Sequence, residues 1–144
     1  MVRKDEDAKT TGIPLPQLSA AVKVSYDKHR RWREEGLLSD TDPAGAADAA
    51  HLVVLDRMVT AAGPKRAKRA WRVIRPLLEE RDANTRPVGW VVVDDDLEQD
   101  SIAFSPSELA RCFREQGRFW VIPLSQVIEG AQRDFGEHAR IGRE

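Results

Sequence analysis

The chain has 144 residues, in which 23 lysines and arginines face 24 aspartates and glutamates, and it has one cysteine. This length suits one ordinary domain or two small ones. The lone Cys112 excludes an internal disulfide and a cysteine-rich zinc site. No apolar run approaches the ~18 residues of a membrane span, and the first twelve residues lack the apolar core of a signal peptide. We therefore expect a cytoplasmic protein that contacts no membrane.

The net charge of -1 hides a segregation of charge along the chain. Residues 13–38 carry +2 and residues 64–88 carry +5, whereas residues 89–144 carry -5. A basic front and an acidic back are typical of a nucleic-acid-binding head joined to a segment with another task. We predict three parts: a disordered N-terminus over residues 1–12, a head over residues 13–82 and a second domain over residues 83–144.

The sequence of residues 15–38, LPQLSAAVKVSYDKHRRWREEGLL, predicts two helices joined by a tight turn. Leu15, Leu18 and Val22 follow helical spacing, so a first short helix can bury one face. Val24 is expected to pack the turn. A short helix, a turn and a second helix in 24 residues have the layout of a helix-turn-helix, whose second helix enters a DNA groove.

The second helix is predicted to run from about residue 26 to residue 35 and to be strongly basic. The Ser25 hydroxyl suits an N-cap, and Gly36 suits the C-terminal stop. Trp32 supplies a large buried anchor. The cations on this helix are Lys28, Arg30, Arg31 and Arg33. Phosphate contact explains such a helix, and an ordinary amphipathic helix with a solvated charged face explains it equally well.

The same segment resembles the DNA-binding head of the MerR family, whose pattern reads approximately I-G-E-L-A-K-x-x-G-V-S-x-x-T-L-R-Y-Y-E-x-x-G-L-L and aligns here without a gap. The residues that carry the likeness are Leu15, Leu18, Val24, Ser25, Arg30, Trp32, Glu34, Gly36, Leu37 and Leu38. The resemblance implies a winged-helix-like head that binds double-stranded DNA. It implies backbone contacts from Arg30 and Arg31 and base contacts near Tyr26, Asp27 and Lys28. With Ser25 and Arg33, these residues form the predicted DNA-binding set of the head.

Three departures from the family pattern affect this interpretation. Lys23 replaces the turn glycine, so it must accept a positive φ or adopt a different turn. His29 replaces a buried leucine, and a partly buried imidazole is favoured over a metal ligand because no second ligand lies at i+4. The wing segment has Asp40, Asp42 and Asp48 but no cation. We therefore expect a short wing that DNA repels, and modest affinity for a single head.

Two further helices are predicted to complete the head. Residues 46–62 have an apolar stripe that ends at Gly63, and a basic helix begins at Pro64. The stripe consists of Leu52, Leu55, Val59 and Ala62, and the core side of the basic helix consists of Ala67, Ala70, Trp71 and Ile74. Pro76 is expected to end or kink that helix. A second phosphate-binding surface is predicted at Lys65, Arg66, Lys68 and Arg69, with a merely solvated face as the alternative.

The tail is predicted to be a small α+β unit in the order ββαβα. The segments WVVVD and SIAF suggest a hairpin. Ser105 and Pro106 begin a helix whose inward residues are Leu109, Cys112 and Phe113. RFWVI is predicted to be a third strand, and residues 123–135 a last helix. Because Phe119 and Trp120 are consecutive, one must face away from the local core unless it is covered. We therefore expect a homodimer or a protein partner at these two residues.

No motif in the chain indicates catalysis, a cofactor or a metal. The acidic run DDDLEQD lacks the glycine and terminal glutamate of a calcium loop, so a solvated hairpin turn is favoured. No phosphate-binding glycine loop or serine or cysteine nucleophile motif is present, so we do not expect an enzyme.

The pattern favours a sequence-specific, DNA-binding transcriptional regulator that acts as a dimer. Two alternatives stay open. An excisionase-like architectural protein of a phage or mobile element would bend DNA markedly. A protein-interaction adaptor with a degenerate helix-turn-helix would retain partner binding without binding DNA.

Overall fold

The computed structural model describes residues 12–84, 89–96 and 99–143, with the side chains of residues 81–84 and 140–143 left aside. The disordered segment expected over residues 1–12 falls almost entirely outside the described residues, and residues 85–88, just after the predicted boundary at residue 83, also fall outside them. Within the described ranges the chain is α+β, as predicted, with six α-helices and one three-stranded antiparallel sheet. None of these helices combines the length and apolar character that crossing a membrane requires.

A 3-10 turn at Leu15–Gln17 precedes the first α-helix. The helices are α1 (Leu18–Ala21), α2 (Tyr26–Glu34), α3 (Ala46–Ala62), α4 (Pro64–Asn84), α5 (Pro106–Cys112) and α6 (Leu124–Arg143). The strands are β1 (Trp90–Asp94), β2 (Ser101–Ala103) and β3 (Phe119–Pro123). The predicted order of the tail, ββαβα, is therefore confirmed.

The chain forms two compact units whose boundaries differ from the predicted one at residue 83. One unit contains the described residues up to Leu52 and those from Gly130 onward, and the other contains Val53–Glu129. The basic helix α4, expected in the head, belongs to the second unit because it packs against β1 and β2. The division therefore falls inside α3 and α6 rather than in the loop after α4.

In the first unit, the two predicted helices and the turn between them are formed. Leu15, Leu18 and Val22 are buried, as their spacing predicted. Lys23 adopts a φ of 62°, and the Val24 amide donates to the Ser19 carbonyl at 2.9 Å. The lysine therefore accepts the left-handed conformation that glycine ordinarily provides, at a cost of about 1 kcal/mol.

The segment after α2 is held to the start of the head without a hairpin wing. Within the described residues its backbone pairing is a single bridge, in which Ile13 and Ala44 exchange N–H to C=O hydrogen bonds of 3.0 and 2.8 Å. The Asp42 carboxylate accepts from the Leu15 amide at 3.1 Å. The carboxylate of Asp48 accepts from the Gly45 amide at 2.8 Å, at the N-terminus of α3. Two of the three wing-segment acids therefore stabilise the fold.

In the second unit the strand order is β2-β1-β3, so β2 and β3 are the sheet edges. Val91, Val92 and Val93 of the central strand are fully buried, which explains their uninterrupted apolar run. α4 packs against β1 and β2, and its predicted core-side residues Ala67, Ala70, Trp71 and Ile74 are all buried.

Of the two outcomes expected at Pro76, the end of the helix is excluded, because α4 continues to Asn84. Burial of Leu78 half a turn later offsets part of the ~3 kcal/mol that an interior proline costs. The prediction for the end of α5 is corrected. Phe113, expected to point inward, is 43% exposed. α5 ends at Cys112, and Phe113 takes an extended conformation (φ -91°, ψ 143°) that turns it out of the helix.

Candidate nucleic-acid interface

α2 is fixed at both ends by the caps that its sequence predicts. The Ser25 hydroxyl accepts from the Lys28 amide at 3.5 Å. After the helix, Gly36 has a φ of 76°, and the Leu37 amide donates to the Trp32 carbonyl at 2.9 Å. This is the hydrogen-bond pattern of a glycine-terminated helix. The helix is therefore a defined rod with Tyr26 at its exposed start.

The inner face of α2 is anchored by Trp32 and His29, which are both buried. Burial first, and then the Arg33 guanidinium, lower the pKa of His29 from 6.5 to about 4. Its Nδ1 has no hydrogen-bond partner in the described part of the chain. The imidazole is therefore neutral near pH 7 and acts as a core side chain, as its position in place of a leucine predicts.

The outer face of α2 carries charges of both signs. Arg31 is exposed, and its side chain makes no ion pair within the described residues. Arg30 is half-exposed and lies 3.3 Å from Glu34 and 3.8 Å from Asp27. Arg31 is thus available to a phosphate, whereas Arg30 must first leave two intrahelical carboxylates.

The remaining predicted contacts on the helix differ in accessibility. Tyr26 is 47% exposed, and Asp27 is also exposed. Lys28 is half-buried and takes part in an interaction of its own. The Arg33 side chain is only 14% exposed and lies 3.9 Å from Asp40. The Arg33 side chain is therefore poorly accessible to a DNA phosphate. Tyr26 and Asp27 lie at the accessible N-terminal end of α2.

α4 presents a second basic surface, but Arg66, which was predicted to belong to it, does not. Lys65 and Arg69 are exposed and Lys68 is half-buried. Arg66 is 7% exposed, and its guanidinium donates to both carboxylate oxygens of Asp100. Because this guanidinium is buried and bound, it is not available to DNA phosphate.

Arg66 belongs to a buried network that completes the β-sheet. Asp94 pairs with Phe119 of β3, but β2 pairs with β1 only from Trp90 to Val92, so side chains take the place of β2 beside Asp94. The Asp100 carboxylate accepts from the Asp94 amide at 3.1 Å, and Arg66 donates to the Asp94 carbonyl at 2.7 Å. Arginine and aspartate side chains thus replace ladder hydrogen bonds at the end of the hairpin.

The acidic run that was expected to be a solvated turn is neutralised by a second arginine. Arg114 makes paired hydrogen bonds of 2.9 and 3.0 Å to the Asp94 carboxylate. Its pKa is raised, chiefly by that hydrogen bond. In the described part of the run, Asp96 also accepts from the Arg118 amide at 2.9 Å. No group of side chains suited to a metal ion occurs among the described residues.

Sequence reasoning missed this network because its partners are far apart in the chain. Arg66 and Asp100 are separated by 34 positions, and Arg114 and Asp94 by 20. The available indication was chemical: an acidic run directly after a fully buried strand requires cations from elsewhere.

Phe119 and Trp120, the predicted interface residues, are both half-buried on β3. The Phe119 ring packs edge-on against Phe113 with centroids 5.1 Å apart, and the Arg114 guanidinium lies 5.0 Å from its centroid. The two residues point to opposite faces of the sheet, and neither is fully covered. The exposed Val121 follows them.

Comparisons with models of protein families, with curated proteins and with solved structures give no match for this chain.

Proposed function

We propose that the protein is a sequence-specific transcriptional regulator that binds double-stranded DNA as a dimer in the cytoplasm. The observation that carries the proposal is α2. It is capped by Ser25, anchored by buried Trp32 and preceded by a left-handed turn at Lys23, with Arg31 and Tyr26 on its exposed side. A rigid exposed helix after a tight turn is the element that helix-turn-helix proteins place in the major groove.

The proposal assigns different tasks to the residues of α2. Tyr26, Asp27 and Lys28 lie in its first turn, from which recognition helices contact base edges. Asp27 accepts hydrogen bonds, which suits the amino group of cytosine. Arg31 supplies a phosphate contact. Arg30 supplies another after its ion pair with Glu34 is replaced by one with a DNA phosphate.

α4 supplies additional cations in this proposal. Lys65, Lys68 and Arg69 lie in its first two turns, and helix N-termini attract phosphate through their amide groups. Together they form a second phosphate-binding surface, separate from that of α2. Arg66 stabilises the end of the β-sheet instead, through its hydrogen bonds to Asp100 and Asp94.

Selection of genomic fragments by the purified chain, followed by titration of the recovered sequence at several salt concentrations, tests the proposal. We expect enrichment of one motif and an affinity for it roughly 1,000-fold above that for random DNA, a ratio typical of specific binders. Recovery of no common sequence, together with equal affinity for all duplexes, would refute sequence-specific regulation.

A second candidate is an interaction adaptor that binds a protein through the same helix. The ion pairs of Arg30 with Asp27 and Glu34 favour it, because they reduce the positive charge that α2 offers to DNA. Salt-insensitive binding of a protein partner by a chain that fails to bind DNA would favour the adaptor.

A further inference from the structure

The inner edge of β3 is defined by two hydrogen bonds to β1 and its extension. The Leu124 amide donates to the Gly89 carbonyl, and the Asp95 amide donates to the Arg118 carbonyl, both at 2.9 Å. In an antiparallel ladder, residues that exchange hydrogen bonds with one neighbour alternate with residues whose backbone groups point the other way. The backbone N–H and C=O groups of the even-numbered residues of β3 therefore point toward β1.

The odd-numbered residues direct their backbone groups to the outer edge. Phe119 and Val121 each present an N–H and a C=O there, and Pro123 presents a C=O only. β3 is the last strand on its side of the described sheet. These backbone groups are the chemistry that an added β-strand would satisfy.

The two edges of the sheet are protected to different degrees. β2 has only three residues, and Pro106 follows it closely, which are common ways to prevent edge pairing. β3 has five residues, and none of them is charged. Unlike β2, therefore, β3 is long enough to pair with a strand of another chain.

The outward groups of β3 complement those of an identical strand. If two copies run antiparallel with Val121 opposite Val121 of the partner subunit, each Val121 amide donates to the other Val121 carbonyl. Each Phe119 amide then donates to the Pro123 carbonyl of the partner subunit. Four hydrogen bonds result, and the missing amide of Pro123 breaks none of them.

The side chains at this edge also suit an identical strand. Phe119, Val121 and Pro123 project from one face of the sheet because alternate residues of a strand share a face. Pairing about Val121 places only apolar residues of the two strands opposite each other, and neither strand carries a charge. Val121 is 38% exposed, so the contact removes apolar surface from water.

A groove along the same edge leaves room for the added strand. Its volume is ≈ 350 Å³, and its lining includes Val121 and Pro123 of β3 and Thr60 and Ala61 of α3. Val121 and Pro123 are residues whose backbone groups point outward, so the groove borders the edge at which the added strand would pair.

We infer that β3 pairs antiparallel with β3 of a second copy of this chain about a two-fold axis at Val121, which joins two sheets into one of six strands. The inference rests on the proposed function in that two linked heads are what a dimeric regulator requires. The occupant is an identical strand because the four hydrogen bonds and the apolar row are self-complementary.

Charge pairing at Val121 tests the position of the axis. Val121→Lys and Val121→Glu each place like charges opposite each other, so each variant alone is expected to sediment as a monomer. An equimolar mixture brings lysine opposite glutamate and is expected to sediment as a dimer, in the absence of DNA. Single variants that remain dimeric, or a mixture that remains monomeric, would overturn the inference.

Proline at the same position tests the backbone hydrogen bonds. Val121→Pro removes the outward amide while leaving the bonds to β1 intact, and edge strands tolerate such a proline. We expect the dimer dissociation constant to rise roughly 10- to 100-fold. Val121→Thr keeps the amide and the branched side chain, so it serves as the control that stays dimeric.

The outcomes separate this inference from the proposed function. A wild-type chain that is monomeric at high micromolar concentration, or a dimer that Val121→Pro leaves intact, refutes pairing through β3. In the second case the two copies associate through another surface. A dimer that behaves as expected but binds no DNA refutes only the regulator.

Discussion

His29 is a histidine at a buried position that suits an apolar side chain. The resemblance places a leucine there, and the structure treats the imidazole as an apolar side chain, buried beside Trp32 with its Nδ1 unpartnered in the described residues. Protonation would bury a cation close to Arg33. Its pKa of about 4 follows from burial and from that guanidinium.

This pKa predicts acid sensitivity. The unfolded chain binds a proton at His29 below the ordinary pKa of 6.5, whereas the folded chain does not until about 4. Stability is therefore fully present above pH 6.5 and is lost as the pH falls towards 4. Between about pH 7.5 and about pH 5 the free energy of unfolding should fall by about 2 kcal/mol on account of His29. Urea unfolding at both pH values measures the loss, and His29→Leu should remove most of it.

Arg31 and Arg30 are neighbours with different expected effects on DNA binding. Arg31→Ala removes an accessible phosphate contact, so affinity for every sequence should fall and the salt slope should flatten by about one unit. Arg30→Ala should cost less, because the wild-type residue must first leave Glu34. Exposed Arg111 on α5 provides the control substitution. Equal, negligible effects of both α2 variants would remove this face from the DNA interface.

The turn before α2 contains backbone strain that a substitution can relieve. Lys23 has a φ of 62°, which glycine adopts without steric cost. Lys23→Gly should raise the free energy of unfolding by about 1 kcal/mol. Lys23→Ala removes the same charge but keeps the strain, so it should leave stability nearly unchanged. A destabilised glycine variant in thermal unfolding would show that the turn is not strained.

α4 combines a structural arginine and a solvated lysine in adjacent positions. Arg66→Met leaves Asp100 buried without its cation, so the free energy of unfolding should fall by about 3–5 kcal/mol. Lys65→Glu should leave stability nearly unchanged and reduce affinity for DNA at moderate salt about tenfold. Chemical unfolding and DNA titration of both variants separate the two roles. An Arg66→Met protein as stable as the wild type would contradict the buried network.

The elements themselves were largely predictable because local patterns determine them. The caps at Ser25 and Ser105 and the stop at Gly63 placed helix ends within a residue or so of those observed. What sequence reasoning missed depends on distant partners. It did not assign Arg66 to the sheet or α4 to the second unit, since both follow from packing between segments far apart in sequence.

Across the protein, charge alone is a poor guide to the candidate interface. The basic segment over residues 64–88 includes Arg66, which is occupied by the acidic run of the tail. Part of the apparent segregation of charge is thus internal neutralisation. The wing-segment acids Asp42 and Asp48 likewise accept backbone hydrogen bonds within the protein. The cations available to DNA are fewer than the sequence suggests, and so are the carboxylates that repel it.

With few cations on each copy, affinity should depend on linking two copies. Once one head of a dimer is bound, the second binds at an effective concentration that commonly reaches the millimolar range. Val121→Lys and Val121→Glu, each monomeric alone, should therefore bind a two-half-site operator about 100-fold more weakly than the wild type, and their equimolar mixture should recover most of the loss. On a single half-site, where linkage confers no advantage, all of these proteins should bind alike. Titration of both duplexes measures the difference. If the mixture dimerises without recovering affinity for the paired site, association through β3 and DNA recognition are separate properties of the chain.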